Sequence, residues 1–178
     1  MSSLQNSPTP THLLHAGADR LEAVVDAAGR AASWIVLVHV VLVASNVILR
    51  YLFQIGPVSL QELEWHLMSP IALIGMAYAL RHDDHVRVDL FYDRYRPRFR
   101  ALVDFLAALA TVLICVAVIK LSLGFVLQSW AEGEISPDPG GLPYRWLLKA
   151  FIPLGFVLLA IQATAIALRR WVLLREAA

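Results

Sequence analysis

Two acidic residues, Glu62 and Glu64, open a long apolar run, and two histidines, His39 and His66, fall inside such runs. Ionisable groups at membrane depth are costly, so each is a candidate for function. Glu62 and Glu64 would suit a cation-coupling or partner-docking site. They would equally serve a helix start, because Ser59 followed by Glu62 fits a capping box, and Arg50 stands ready to pair with either across a short turn. His39 and His66 could hold a haem between facing helices, as in a redox anchor; a membrane histidine also commonly bonds a neighbour. His82-Asp83-Asp84-His85 offers metal-ligand types but reads as a solvated turn. Lys120 either snorkels to the outer headgroups or pairs with a partner helix. Asp104 sits where the dipole of a helix start favours an acid. No glycine-rich phosphate loop, nucleophile elbow or zinc-binding helix motif occurs, so no catalytic, substrate-binding or metal-ligating residue is expected, and no cofactor.

The elements that carry these residues are greasy. The chain has 178 residues, 58% hydrophobic and 16% charged, against about 25% charged in an ordinary soluble domain. The apolar residues sit in four blocks, and a helix needs about 20 of them to cross a bilayer core. The spacing predicts an all-α polytopic membrane protein with spans at about 31–50, 60–80, 101–130 and 146–168. The third block is longer than a bilayer needs and must tilt or project. Helices are required because lipid leaves no partner for unpaired backbone groups. Residues 1–12 are expected to form a disordered tail. Residues 13–30 are expected either to lie as an amphipathic helix at the cytoplasmic interface or to extend span one. The membrane domain covers 31–172, and 173–178 form a C-terminal tail. Cys115 is the only cysteine, which excludes an intramolecular disulfide.

Lysine and arginine set the orientation. Arg20, Arg30, Arg81, Arg87, Arg94, Arg96, Arg98, Arg100, Arg169, Arg170 and Arg175 fall on one side of the four spans, while Arg50, Arg145 and Lys149 fall on the other. The positive-inside rule predicts that both termini are cytoplasmic. Trp130, Tyr144 and Trp146 flank the outer loop between spans three and four, as an aromatic belt would. Pro97 is well placed to open span three. The inner segment Val86 to Tyr95 is expected to lie on the membrane surface or against a partner. The polar groups cluster at span ends and the middle is nearly all aliphatic, which argues against transport by this chain alone. A small multidrug exporter would need a membrane-buried carboxylate, and Glu62 and Glu64 lie too near the surface for that. Small residues at Ala107, Ala108 and Ala110, and at Ala160, Ala163 and Ala167, offer close-packing faces to a partner or to each other.

Particular motifs go further. Arg50-Tyr51 ending span one, Ser59 with Glu62 opening span two, Gly75-Met-Ala-Tyr-Ala-Leu-Arg81, His85-Val-Arg87-Val-Asp89, Pro97-Arg98, Ser136-Pro137, Pro143 and Pro153-Leu-Gly155 together resemble the small membrane subunit of TRAP transporters, the DctQ-like family. The similarity covers about residues 31 to 172. Many relatives have two adjacent acids where this chain has Gln61-Glu62-Leu63-Glu64. The resemblance implies a small, non-catalytic inner-membrane subunit that braces a large transport subunit. It also implies a periplasmic solute-binding protein that docks outside, with a sodium-coupled uptake of an organic-acid-like solute. Arg50, Glu62, Glu64, His85, Arg87, Asp89 and Lys120 are the residues expected at partner interfaces or in structural pairs. Lipid is an expected partner and nucleic acid is not.

Overall fold

A computed structural model describes residues 10–84, 92 and 95–176, which hold four long helices. They are α1 (Pro10–Leu52), α2 (Val58–His82), α3 (Pro97–Ala131) and α4 (Arg145–Glu176). All four are long and apolar enough to cross a membrane, and no strand occurs among the described residues. The expected inner-surface segment, with His85, Arg87 and Asp89, lies outside them except for Tyr92 and Tyr95.

α4 is the centre of the arrangement. It packs along α3 most extensively, and its other sides take α2 and α1, which also pack together as a hairpin. α3 is therefore peripheral, joined to the rest through α4. The sequence explains why that seam is close. The buried residues of α3 are Ala101, Ala108, Cys115, Ser122 and Ser129, one every seventh position. A seven-residue repeat keeps one stripe facing a neighbour along a left-handed supercoil. Small side chains in that stripe let two backbones approach where lipid supplies no hydrophobic drive.

The other seams also rest on small residues. A Cβ added at Gly29 of α1 would strike the Tyr78 ring of α2. One added at Gly155 of α4 would lie 2.7 Å from Leu73 Cβ and 2.9 Å from Leu73 O of α2. The central cluster joins Val25, Ala77, Cys115 and Leu159, one from each helix. Pro70 in α2 and Pro153 in α4 are both buried within helices. Each removes a backbone donor.

α1 runs unbroken for 43 residues, about 65 Å at 1.5 Å per residue. Residues 13–30 are thus continuous with span one, and helix begins at Pro10. Ala18, Glu22, Val25, Gly29 and Ala32 are its buried positions there. Their spacing of four and three is a packing seam against the ends of α2 and α4. Both termini of the described chain lie at one end of the bundle, where Arg169 of α4 meets Glu22 of α1. The α1–α2 turn and the α3–α4 loop lie at the other.

Candidate functional site

Polar side chains gather at the two ends of the bundle. At the loop end, Glu62 is 7% exposed and faces the α3–α4 loop. Ser136 Oγ donates to Glu62 Oε1, and the Leu142 N–H donates to Oε2 at 2.6 Å. Leu142 also accepts from the Ser136 N–H at 3.1 Å, so the carboxylate closes a small ring of loop backbone. A Cβ at Gly141 would collide with Ser136 and come within 2.8 Å of Glu62 Oε2; only glycine fits there. The expected capping box is not formed: Pro57 is the N-cap of α2, and no side chain caps it. The carboxylate is worth more to the loop, whose N–H and O–H groups would otherwise lack an acceptor.

The loop has a second anchor. Lys149 Nζ bonds Glu134 Oε2 and lies 3.8 Å above the Phe125 ring. The Lys149 ammonium holds the Glu134 carboxyl below the usual carboxylate range. Beside it, Trp130 and Trp146 meet edge to face with centroids 4.5 Å apart.

Glu64 has a different environment from Glu62. Its Oε1 accepts from Asn46 Nδ2 of α1 at 2.7 Å. Arg50, exposed at the end of α1, forms no ion pair with Glu62 or Glu64 among the described residues; its Nε instead lies over Gly56. The expected pairing fails because Glu62 is occupied by the loop and Glu64 points toward Asn46. His66 Nδ1 bonds the Glu62 carbonyl at 2.7 Å. His39 lines a groove between α1 and α2 whose walls do not include His66, so the two imidazoles do not share a cleft suited to a haem. Lys120 is exposed on α3 and forms no ion pair among the described residues.

The termini end is a charge cluster. Glu22 is 3% exposed and accepts from Arg169 Nε at 2.7 Å and from Arg169 Nη2 at 2.6 Å. Arg81 Nη1 lies 3.1 Å from the same carboxylate. Asp19 joins Arg169 at 2.7 Å, and His82 Nε2 meets Asp26 at 3.2 Å. Three helices are clasped around one buried acid. Asp104 of α3 pairs with Arg170 Nε of α4 at 3.1 Å and accepts from the Tyr92 hydroxyl at 2.7 and 2.8 Å, more specific than a dipole contact. A cavity of about 610 Å³ opens between α2 and α3 beside this cluster, lined by Arg81, Asp104, Gln162, Arg169 and Arg170. Its three arginines are each matched to a carboxylate. His82 turns to Asp26, and Asp83 ends α2 in the left-handed region with φ 63°, so the expected solvated turn forms a helix cap.

Long helices, small-residue seams, and acids committed to interhelical or loop contacts make up a packed helical membrane bundle. Comparison with known proteins agrees. The family model for Tripartite ATP-independent periplasmic transporters, DctQ component, matches residues 39–173. The ectoine TRAP transporter small permease protein TeaB of Halomonas elongata is 29% identical over 143 residues, 80% of this chain and 70% of that protein. A Haemophilus influenzae protein, provisionally named a TRAP transporter small permease, is 30% identical over 105 residues, 58% of this chain and 65% of its own length. Four membrane-spanning helices and a family match across most of their length lead to one conclusion: this inner-membrane chain belongs to the DctQ family of small components of TRAP transporters.

Proposed function

We propose that the chain is a non-catalytic brace for the large membrane subunit of a TRAP-type uptake system. Both its termini lie in the cytoplasm, where eleven of its fifteen basic residues would then stand. The loop end faces the periplasm and contributes to the surface on which a solute-binding protein docks. Solute and sodium pass through the large subunit, and the solute is a small organic-acid-like compound. The Halomonas relative's name attaches that transporter to ectoine.

The observation that carries this reading is the occupation of the bundle interior. Val25, Ala77, Cys115 and Leu159, one from each helix, close into an apolar cluster, and Glu62, Glu22 and Asp104 are engaged in holding elements together. A transporter gathers polar groups at the midplane to receive its solute; here the buried acids sit at the two ends of the bundle, each committed to a contact within the chain. The test is reconstitution into liposomes of this chain, the large subunit and the binding protein, using the solute that the purified binding protein retains. Sodium-dependent uptake with all three, lost on omission of any one, supports the proposal. Full-rate uptake with this chain alone would overturn it.

A further inference from the structure

Some polar side chains in the apolar stretches are satisfied within their own helix, and others are not. Ser45, Thr111 and Thr164 donate to the carbonyl four residues back, at 2.7, 2.9 and 2.7 Å. Hydroxyls satisfied within their own helix can face lipid. Glu64, Asn46 and His39 are not satisfied in this way. Glu64 has the Asn46 amide as a donor, but no cation pairs with its carboxylate among the described residues. Asn46 Oδ1 and His39 Nδ1 are buried with no hydrogen-bond partner.

Glu64 and His39 line the same groove of about 450 Å³, with Val43 of α1 and Trp65, Met68 and Ala72 of α2. From Glu64 to Ala72 the groove follows α2 for about 12 Å at 1.5 Å per residue. By the same measure Glu64 stands about 9 Å along α2 from Val58, and His39 about 20 Å along α1 from Leu52. The groove thus leads from the loop end into the middle of the membrane. Its rim is aromatic and thioether, with Trp65 72% and Met68 60% exposed, a composition enriched at protein interfaces. The stretch of α3 from Leu102 to Val116 offers a contrast: its large exposed residues, Leu102, Leu106, Leu109, Leu113, Ile114 and Val116, are aliphatic, as a lipid face should be.

We propose that a transmembrane helix of the large subunit seats in the α1–α2 groove. That helix carries a cationic or hydrogen-bond-donating side chain opposite Glu64 and a polar group at the depth of His39. The inference rests on the bracing role proposed above and specifies the face that performs it. It also divides the two acids. Glu62 has both oxygens taken by the chain's own loop, whereas Glu64 keeps acceptor capacity for another chain. Glu64 keeps acceptor capacity at the mouth of the groove, and His39 Nδ1 is buried along it with no partner, so a matching polar side chain is the occupant the groove requires.

The test uses the chain co-expressed with its large subunit. A photoreactive p-benzoylphenylalanine replaces Met68, or Leu113 as the α3 comparison, and adducts formed in membranes are identified by mass spectrometry. Met68 is expected to link to the large subunit, in a segment with a basic, amide or hydroxyl side chain within one turn, while Leu113 links to lipid. Glu64→Ala should lower the large subunit retained on a tagged chain in detergent by at least about tenfold. Glu64→Gln, which keeps an acceptor for Asn46 and so spares the hairpin, should retain an amount between those of Glu64→Ala and the wild type. Adducts of Met68 with lipid alone, with a second copy of this chain, or with a wholly aliphatic segment would overturn the proposal. So would unchanged retention in both Glu64 variants. Linkage of the large subunit through Leu113 defeats the groove assignment alone; failure of the wild-type chain to retain a large subunit defeats the bracing role with it.

Discussion

Replacing Glu22 with Gln removes the negative charge from the clasp that joins α1, α2 and α4. The side chain is 4% exposed and contacts two guanidinium groups, those of Arg169 and Arg81. Glutamine keeps one acceptor oxygen but turns an amide N–H₂ toward groups that can only donate. Deleting one partner of a fully buried pair costs about 3–5 kcal/mol. Arg169 and Arg81 keep 37% and 31% of their side-chain surface, so water screens the charges left behind, and about 2 kcal/mol is the appropriate scale. That is about a thirtyfold shift in the unfolding equilibrium, or a fall of about 4–8 °C in Tm for a chain of this size. Asp19→Asn is the internal comparison. Asp19 meets the same Arg169 but is 65% exposed, so its loss should cost no more than about 0.5 kcal/mol. Titration with SDS in dodecyl maltoside micelles, followed by tryptophan fluorescence, measures both. Equal effects of the two substitutions, or a Glu22→Gln loss below about 0.5 kcal/mol, would show that burial does not make Glu22 the centre of the clasp.

Other expectations follow from the same geometry. Gly155→Ala should destabilise the bundle by about 1–3 kcal/mol, because the new methyl meets Leu73 backbone and not a movable side-chain end; a neutral SDS titration would show that α2 and α4 are not so close. Glu62→Ala should speed hydrogen exchange at the Leu142 amide, which donates to that carboxylate, while leaving amides near Arg169 unchanged; unaltered exchange at Leu142 would remove the latch. The Glu134 carboxyl titrates below its ordinary value of 4.5 because Lys149 bonds it. Its contribution to stability is therefore complete above about 4.5 and lost as pH falls through the lower folded value. The stability difference between wild type and Glu134→Gln should accordingly shrink on acidification below about pH 4.5, and a difference that is constant from pH 7 to pH 3 would contradict the pairing.

Much of the architecture was legible because lipid imposes simple demands. Four long apolar runs can only be helices, and Pro97 indeed opens α3. Trp130 and Trp146 meet at the loop end as a belt pair would. The polar contacts were less legible, for specific reasons. Glu62 looked like a local cap with Ser59, but its partners lie 74 and 80 residues away in the loop, and no local spacing encodes that distance. Glu22 sat among the charged positions of an amphipathic stretch, yet it is buried because two arginines from other helices reach it. The seven-residue stripe from Ala101 to Ser129 is a readable repeat, but it mixes two alanines with a cysteine and two serines and so does not stand out as a cluster of one residue type. The Arg50 pairing was expected from proximity in sequence, whereas the turn leaves Arg50 beside Gly56.

The bracing role proposed for these helices implies a stable complex with another membrane protein. Purification of the tagged chain from its native membranes, with mass spectrometry and stoichiometry of whatever accompanies it, tests this most directly. One larger multi-pass transport subunit in a one-to-one complex, lost when the α1–α2 groove is altered, is the expected companion. A chain that emerges alone and stable, or as a homo-oligomer with haem absorbance, would contradict it.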